Sequence, residues 1–203
     1  MALVIPSIKS VYLHIYKTGG TWVKSALDAA GVPNRYEGYQ HSDHFHSSEV
    51  EPDWPRFVSV RNPYAWYASF WAWRDKEGWG GDLAIGHGDY VQPTFEGFVD
   101  AVVEGRPGFL TELYERYDPG GGSVVVLKSE TLCSDLLGYL VARGGAADCR
   151  AILNCPPANR AGTLDDYRAR TLYADRAARR IYEAEMDAFV RYGYSEDNYR
   201  RKT

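Results

Sequence analysis

Three groups of residues in this chain have the types and the spacing to do chemistry. The first is Lys17-Thr18-Gly19-Gly20-Thr21-Trp22, set between a short apolar run and a helix-compatible segment. Glycines at such a turn allow tight bends and close backbone approach, and the amides of the turn and the helix start point at an anion. The Lys and Thr add side-chain donors. This is a phosphate-wrapping layout, with generic strand-turn-helix structure as its bland competitor. It departs from GxxxxGK[ST], where the Lys follows the second glycine; here Lys17 precedes both, and no GK[ST] occurs in the chain.

The second group is Arg61-Asn62-Pro63, with Ser69 eight positions after the Arg. A planar guanidinium at a strand's carboxyl end suits a phosphate. A helical Ser69, about 9 Å from Pro63 at 1.5 Å per residue, can donate to the same group; as a small packing residue it needs no ligand. The third group is His41, His44 and His46, with Asp43 and Glu49 among them. Their spacing matches neither HExxH nor a common zinc pattern. An imidazole that takes a proton near neutral pH makes a general base the better functional reading. A solvated loop with incidental histidines competes at each position.

Elements must position these groups. Val11 to Tyr16, β-branched and aromatic, reads as a buried strand. Thr21 to Ala30 reads as a helix with Trp22, Ala26 and Ala29 on one stripe and Gly31 as its stop. Arg56 to Val60 is a second strand, and Pro63 opens a helix to about Asp75. There Ala65, Ala68, Ser69 and Ala72 make a narrow small-residue face suited to a close approach to a sheet, flanked by Trp66, Phe70 and Trp73. Later come a helix from Leu132 to Arg143 stopped by Gly144-Gly145, and a long helix over Asp166 to Tyr192. Ala174, Ala178, Ile181, Tyr182 and Phe189 line one side of that last helix. Strand, glycine-containing loop and helix form half of a βαβ unit. The expected architecture is an α/β single-domain three-layer fold over residues 1–203, with a central parallel sheet and a P-loop-like strand-loop-helix.

Composition narrows the class. The 203 residues are 45% apolar and 25% charged, as in an ordinary globular domain. A net charge of -4 argues against broad nucleic-acid binding. Cys133, Cys149 and Cys155 form no CxxC pair, so reduced thiols in a cytoplasmic protein are expected rather than disulfides or structural zinc. No apolar run reaches the roughly 20 residues of a membrane span, and Met1 to Ser10 lacks the features of a signal peptide.

Lys17 through Trp22, followed in order by Val60-Arg61-Asn62-Pro63 and Ser69, resembles the sulfotransferase family, which uses 3′-phosphoadenosine 5′-phosphosulfate (PAPS). The run His14-Ile15-Tyr16-Lys17-Thr18-Gly19-Gly20-Thr21 is similar to the HIPKTGGT form of carbohydrate-type and bacterial members, with Tyr16 where Pro is usual. Trp22 is more like the cytosolic branch, where it stacks on adenine. Weaker similarity continues through Val124 to Leu132, where Thr131 replaces a usual Asp. It continues again through Asn159-Arg160, and through Asp187 to Phe189 and Tyr192-Gly193-Tyr194.

The resemblance implies transfer of a sulfuryl group from PAPS to a hydroxyl or amine of a small-molecule or carbohydrate acceptor, releasing adenosine 3′,5′-bisphosphate. No metal is implied. Lys17 would sit at the bridging oxygen, Thr18, Gly19, Gly20, Thr21 and Trp22 would supply backbone donors, and Thr21 its hydroxyl. Arg61 and Ser69, with Arg160 as a second cation, would hold the 3′-phosphate. The base would be His44, then His41, then His46 in order of preference, with Glu37 and Glu49 as replacements. Trp71 to Tyr90, aromatic and glycine-rich, reads equally as an acceptor-binding lid or as a loop pinned by its aromatics. An ATP-dependent kinase and an inactive nucleotide- or carbohydrate-binding module are the alternatives. The acceptor's identity and the oligomeric state stay open.

Overall fold

The computed structural model describes residues 2–37, 50–81, 83–122, 124–145, 147–157 and 175–197. Its chain divides into two compact units, one of Met1–Arg61 and Tyr114–Asn159, the other of Asn62–Leu113 and Arg160–Thr203.

The first unit is a five-stranded mixed sheet with helices. Its strands are β1 (Ala2–Ile5), β2 (Ser10–Leu13), β3 (Arg35–Glu37), β4 (Arg56–Val60) and β5 (Val125–Lys128), in the order β3-β1-β2-β4-β5. β1 pairs antiparallel with β2 and β3, whereas β2-β4 and β4-β5 are parallel. The expected central parallel sheet is therefore parallel over three strands only. The departure begins at Pro6–Ile8, a 3-10 turn followed by Lys9 at φ 46. That turn reverses the chain between two strands that are buried at every residue. A hairpin needs only such a short connection, unlike the crossover a parallel pair requires.

Among the described residues this unit holds the helices α1 (Gly20–Ala29), α5 (Leu132–Ala142) and α6 (Cys149–Leu153). α1 buries Val23, Ala26 and Leu27, an i, i+3, i+4 face, so the expected Trp22-Ala26-Ala29 stripe is rotated from the true one. Val23 and Leu27 bury more apolar area than Ala29, which lies exposed. Gly31 stops the helix at φ 67, with Gly31 N–H on Asp28 O and Val32 N–H on Leu27 O. That is a Schellman ending, and Gly144-Gly145 repeats it after α5, with Gly144 at φ 70. The core joins Leu3, Ile5, Tyr12 and Phe57 of the sheet to Val23, Leu27, Leu136, Leu140 and Ile152 of the helices.

The second unit is helical. It holds α2 (Pro63–Glu77), α3 (Phe95–Gly105), most of α4 (Phe109–Glu115), α7 (Asp175–Ala184) and α8 (Met186–Arg191). Asn62 caps α2, its side chain accepting from Tyr64 N–H at 2.9 Å. Of the small-residue face α2 buries Ala68 and Ser69 and leaves Ala65 and Ala72 half-buried, while Tyr64, Trp66, Tyr67 and Phe70 are fully packed beside it. Trp66 stacks on Phe70 at 5.1 Å and Phe70 on Phe98 of α3 at 5.9 Å. Large rings contribute far more buried area than methyl groups, and they decide the face.

The expected final helix breaks at Glu185, between α7 and α8. Ala178, Ile181 and Phe189 are buried as expected, and Tyr182 meets Phe189 edge-on at 5.1 Å. Glu185 itself is wholly buried and accepts from Tyr67 Oη, Leu110 N, Thr111 N and Thr111 Oγ1 at 2.6 to 3.0 Å. Its carboxyl thus satisfies first-turn amides of α4 that have no intrahelical acceptor. Burial nevertheless raises its pKa, the four donors opposing that shift.

Candidate active site

Leu13 pairs with Val58, and Val60 with Lys128, so the parallel strands β2, β4 and β5 release the chain at one edge of the sheet. Carboxyl edges of such strands are where ligands bind in open α/β sheets. Three segments emerge there: residues 14–19, Arg61 and Ser129.

Residues 14–19 form a tight loop into α1. Lys17 has φ 62 and Gly19 φ 100, both left-handed. A side chain at Gly19 would also meet Leu132 Cδ2 at 2.6 Å, and one at Gly20 would overlap the His14 ring, which packs against the bare backbone. Gly20 is therefore required by space, and Gly19 by backbone conformation.

Two side chains hold the loop's carbonyls. Arg61 Nη1 donates to Lys17 O at 3.2 Å, and Ser129 Oγ donates to Thr18 O at 2.5 Å. The C=O and N–H of a trans peptide point to opposite sides. The amides of Thr18 and Gly19 consequently face away from these two partners. Together with the opening amides of α1 and the positive end of its dipole, they are the groups of this loop whose chemistry suits an anion. The bare backbone at Gly19 and Gly20 and the adjacent cations Lys17 and Arg61 fit a phosphate-type group.

Thr18 contributes no exposed hydroxyl. Its side chain is wholly buried, donates to Ile15 O at 3.0 Å and meets Ser59 Oγ at 2.9 Å. Ser59 Oγ also meets Tyr12 Oη at 2.5 Å, which ties the loop to the middle of β2 and β4. Burial raises the Tyr12 phenol well above its ordinary range, so this hydroxyl stays protonated. Thr21, by contrast, is exposed.

Arg61 is half-buried, and Tyr114 brackets its backbone: the phenol donates to Arg61 O at 2.8 Å and accepts from Arg61 N–H at 3.1 Å. Among the described residues no carboxylate forms an ion pair with Arg61. Trp22 is half-buried against the core, with Nε1 donating to Cys155 O at 3.3 Å, so its polar atom is engaged by the protein.

The structure thus brings Lys17, Thr18, Gly19, Gly20, Thr21, Trp22 and Arg61 into the first unit. Ser69 lies in the second, on the packed side of α2. His41, His44, His46, Glu49 and Arg160 lie outside the described residues. Glu37, at the edge strand β3, pairs with Arg35 at 2.5 Å. In the segment from Trp71 to Tyr90, Trp71 Nε1 donates to Gln92 O at 3.3 Å and Arg74 stacks over Trp73 at 3.8 Å. Both contacts are made by α2, which runs into this segment as far as Glu77.

Tyr12, Ser59, Tyr114 and Ser129 were not singled out by sequence reasoning. Ser59 carried a signal, since a polar residue inside the buried run Phe57-Val58-Ser59-Val60 must find a partner. Ser129 carried a weaker one, its place just beyond a strand's carboxyl end. Tyr114 carried none, because only the fold brings it to Arg61. Comparison with family models, curated proteins and solved structures finds no match to this chain.

Proposed function

We propose that the chain is a PAPS-dependent sulfotransferase acting on a hydroxyl or amine of a small-molecule or carbohydrate acceptor. The observation that carries the reading is the bond from Arg61 Nη1 to Lys17 O at 3.2 Å. It joins the two motifs of the sequence into one cationic, glycine-lined cradle at the carboxyl edge of the sheet.

In this reading the amides of Thr18 through Trp22 and the Thr21 hydroxyl bind the 5′-phosphosulfate end. Arg61 binds the 3′-phosphate, the group that distinguishes this nucleotide from ATP. PAPS, when bound, supplies an activated sulfuryl group. Lys17 neutralises charge developing on the oxygen from which that group departs, an electrostatic contribution made where charge grows. A base from His44, His41 or His46 takes the acceptor's proton. The Lys before the glycines and the missing GK[ST] favour this reading over an ATP-dependent kinase.

The test is differential stabilisation. Adenosine 3′,5′-bisphosphate should raise the thermal midpoint as a ligand of the folded state does, and ATP much less. Equal stabilisation by both, or by neither, overturns the assignment. Magnesium-dependent ATP hydrolysis would point to the kinase instead. A screen of sugar, phenol and amine acceptors with labelled PAPS separates an active enzyme from an inactive binding module. Lys17→Ala should abolish transfer while bisphosphate binding persists.

A further inference from the structure

The corner between β5 and α5 packs on the loop at Thr18 and Gly19, where the loop enters α1. Ser129 N–H donates to Val60 O at 2.8 Å, extending the β4-β5 ladder by one residue and fixing where the Ser129 side chain starts. From there Oγ reaches Thr18 O at 2.5 Å. Three residues on, Leu132 lies where a side chain at Gly19 would have to go. The corner is rigid: Asp135 accepts from Lys128 N–H and from Thr131 Oγ1, both at 2.8 Å, and Thr131 N–H donates to Lys128 O at 3.0 Å.

We infer that Ser129 is a positioning residue of the anion site, holding the Thr18 carbonyl so that the Gly19 amide keeps its direction. The inference rests on the phosphate reading of the loop for its consequence, though not for its geometry. A hydroxyl fixed by the ladder on one side and by the carbonyl on the other orients the peptide between Thr18 and Gly19. That peptide runs into Gly19 at φ 100, a residue with no side chain, so its orientation depends on the bond its carbonyl makes. Removing the hydroxyl lets this peptide rotate and turns a preorganised donor into a mobile one, which weakens anion binding without removing any atom that touches the anion.

Three variants isolate the hydroxyl. Ser129→Ala and Ser129→Val delete it, and Ser129→Thr, the near-isostere of Val, retains it. Two measurements are made on each full-length protein: amide hydrogen exchange over the segment from His14 to Lys24, and calorimetric affinity for adenosine 3′,5′-bisphosphate. Ala and Val should speed exchange in that segment and weaken the affinity about tenfold, the effect of roughly one lost hydrogen bond, and Thr should restore both. Unchanged exchange in Ala and Val overturns the inference whatever the ligand does. Faster exchange with unchanged affinity in a protein whose wild type binds the bisphosphate overturns the positioning role. If the wild type binds no bisphosphate, faster exchange rescued by Thr still supports the hold on the loop, and it is the nucleotide assignment that falls.

Discussion

Arg61 donates from Nη1 to the backbone carbonyl of Lys17 at 3.2 Å, so the cation that ends β4 also restrains the loop that follows β2. One side chain therefore serves as loop restraint and, in the proposed function, as phosphate ligand. Its own backbone is held on both sides by the Tyr114 phenol.

Arg61→Ala should weaken bisphosphate binding about 30-fold or more, since a charge-assisted bond of roughly 2 kcal/mol is lost along with the restraint on Lys17. Arg61→Lys keeps the charge but not the planar fork, so it should recover only part of the loss. Titration calorimetry on both variants checks this, and full recovery by Lys would show that charge alone matters.

Gly20→Ala should destabilise the protein by about 1–3 kcal/mol, the usual cost of forced overpacking, because the new methyl overlaps the His14 ring. His14→Ala makes room. The double variant should therefore be more stable than the sum of the two single changes implies, a coupling that denaturant unfolding of all four proteins measures.

The hydroxyl chain beneath the loop gives a graded expectation. Tyr12→Phe leaves Ser59 bonded to Thr18, at a cost of about 1 kcal/mol for one net hydrogen bond. Ser59→Ala strips the buried Tyr12 phenol and the Thr18 hydroxyl of a shared partner and should cost more, about 2–3 kcal/mol. Equal losses in urea unfolding would mean that a water takes the place of the Ser59 hydroxyl.

Glu185 carries a pH dependence whose sign follows from its raised pKa. A carboxyl that binds its proton more tightly folded than unfolded contributes its stability in full below the unfolded value. That contribution is lost as pH rises through the folded value. Urea unfolding at successive pH values above the ordinary carboxylate range should show this decline, and Glu185→Gln should flatten it. Glu185→Ala should cost about 3 kcal/mol at the low end of that range, since it strands four buried donors, and less as pH rises.

Much was legible in the sequence. Arg56 to Val60 was bounded as observed because Phe57-Val58-Ser59-Val60, four apolar or small residues between Arg56 and Arg61, allow little else. Gly31 and Gly144 announced helix ends because a left-handed residue is what a Schellman ending needs. The order of the two motifs, and the cation in each, could be read directly from residue types. Local chemistry dictates these features, and local chemistry is written in adjacent residues.

The tertiary structure decided the rest. The antiparallel β1-β2 hairpin, the buried face of α2 and the break at Glu185 depend on which surfaces compete for burial, and no short window of sequence contains that competition. The same holds within the site. The sequence already implied that Lys17 and Arg61 bind anions, but only the parallel pairing of β2, β4 and β5 brings Arg61 and Ser129 onto neighbouring carbonyls of one loop. Those bonds join residues 44 and 111 positions apart, and it is the sheet register that makes them.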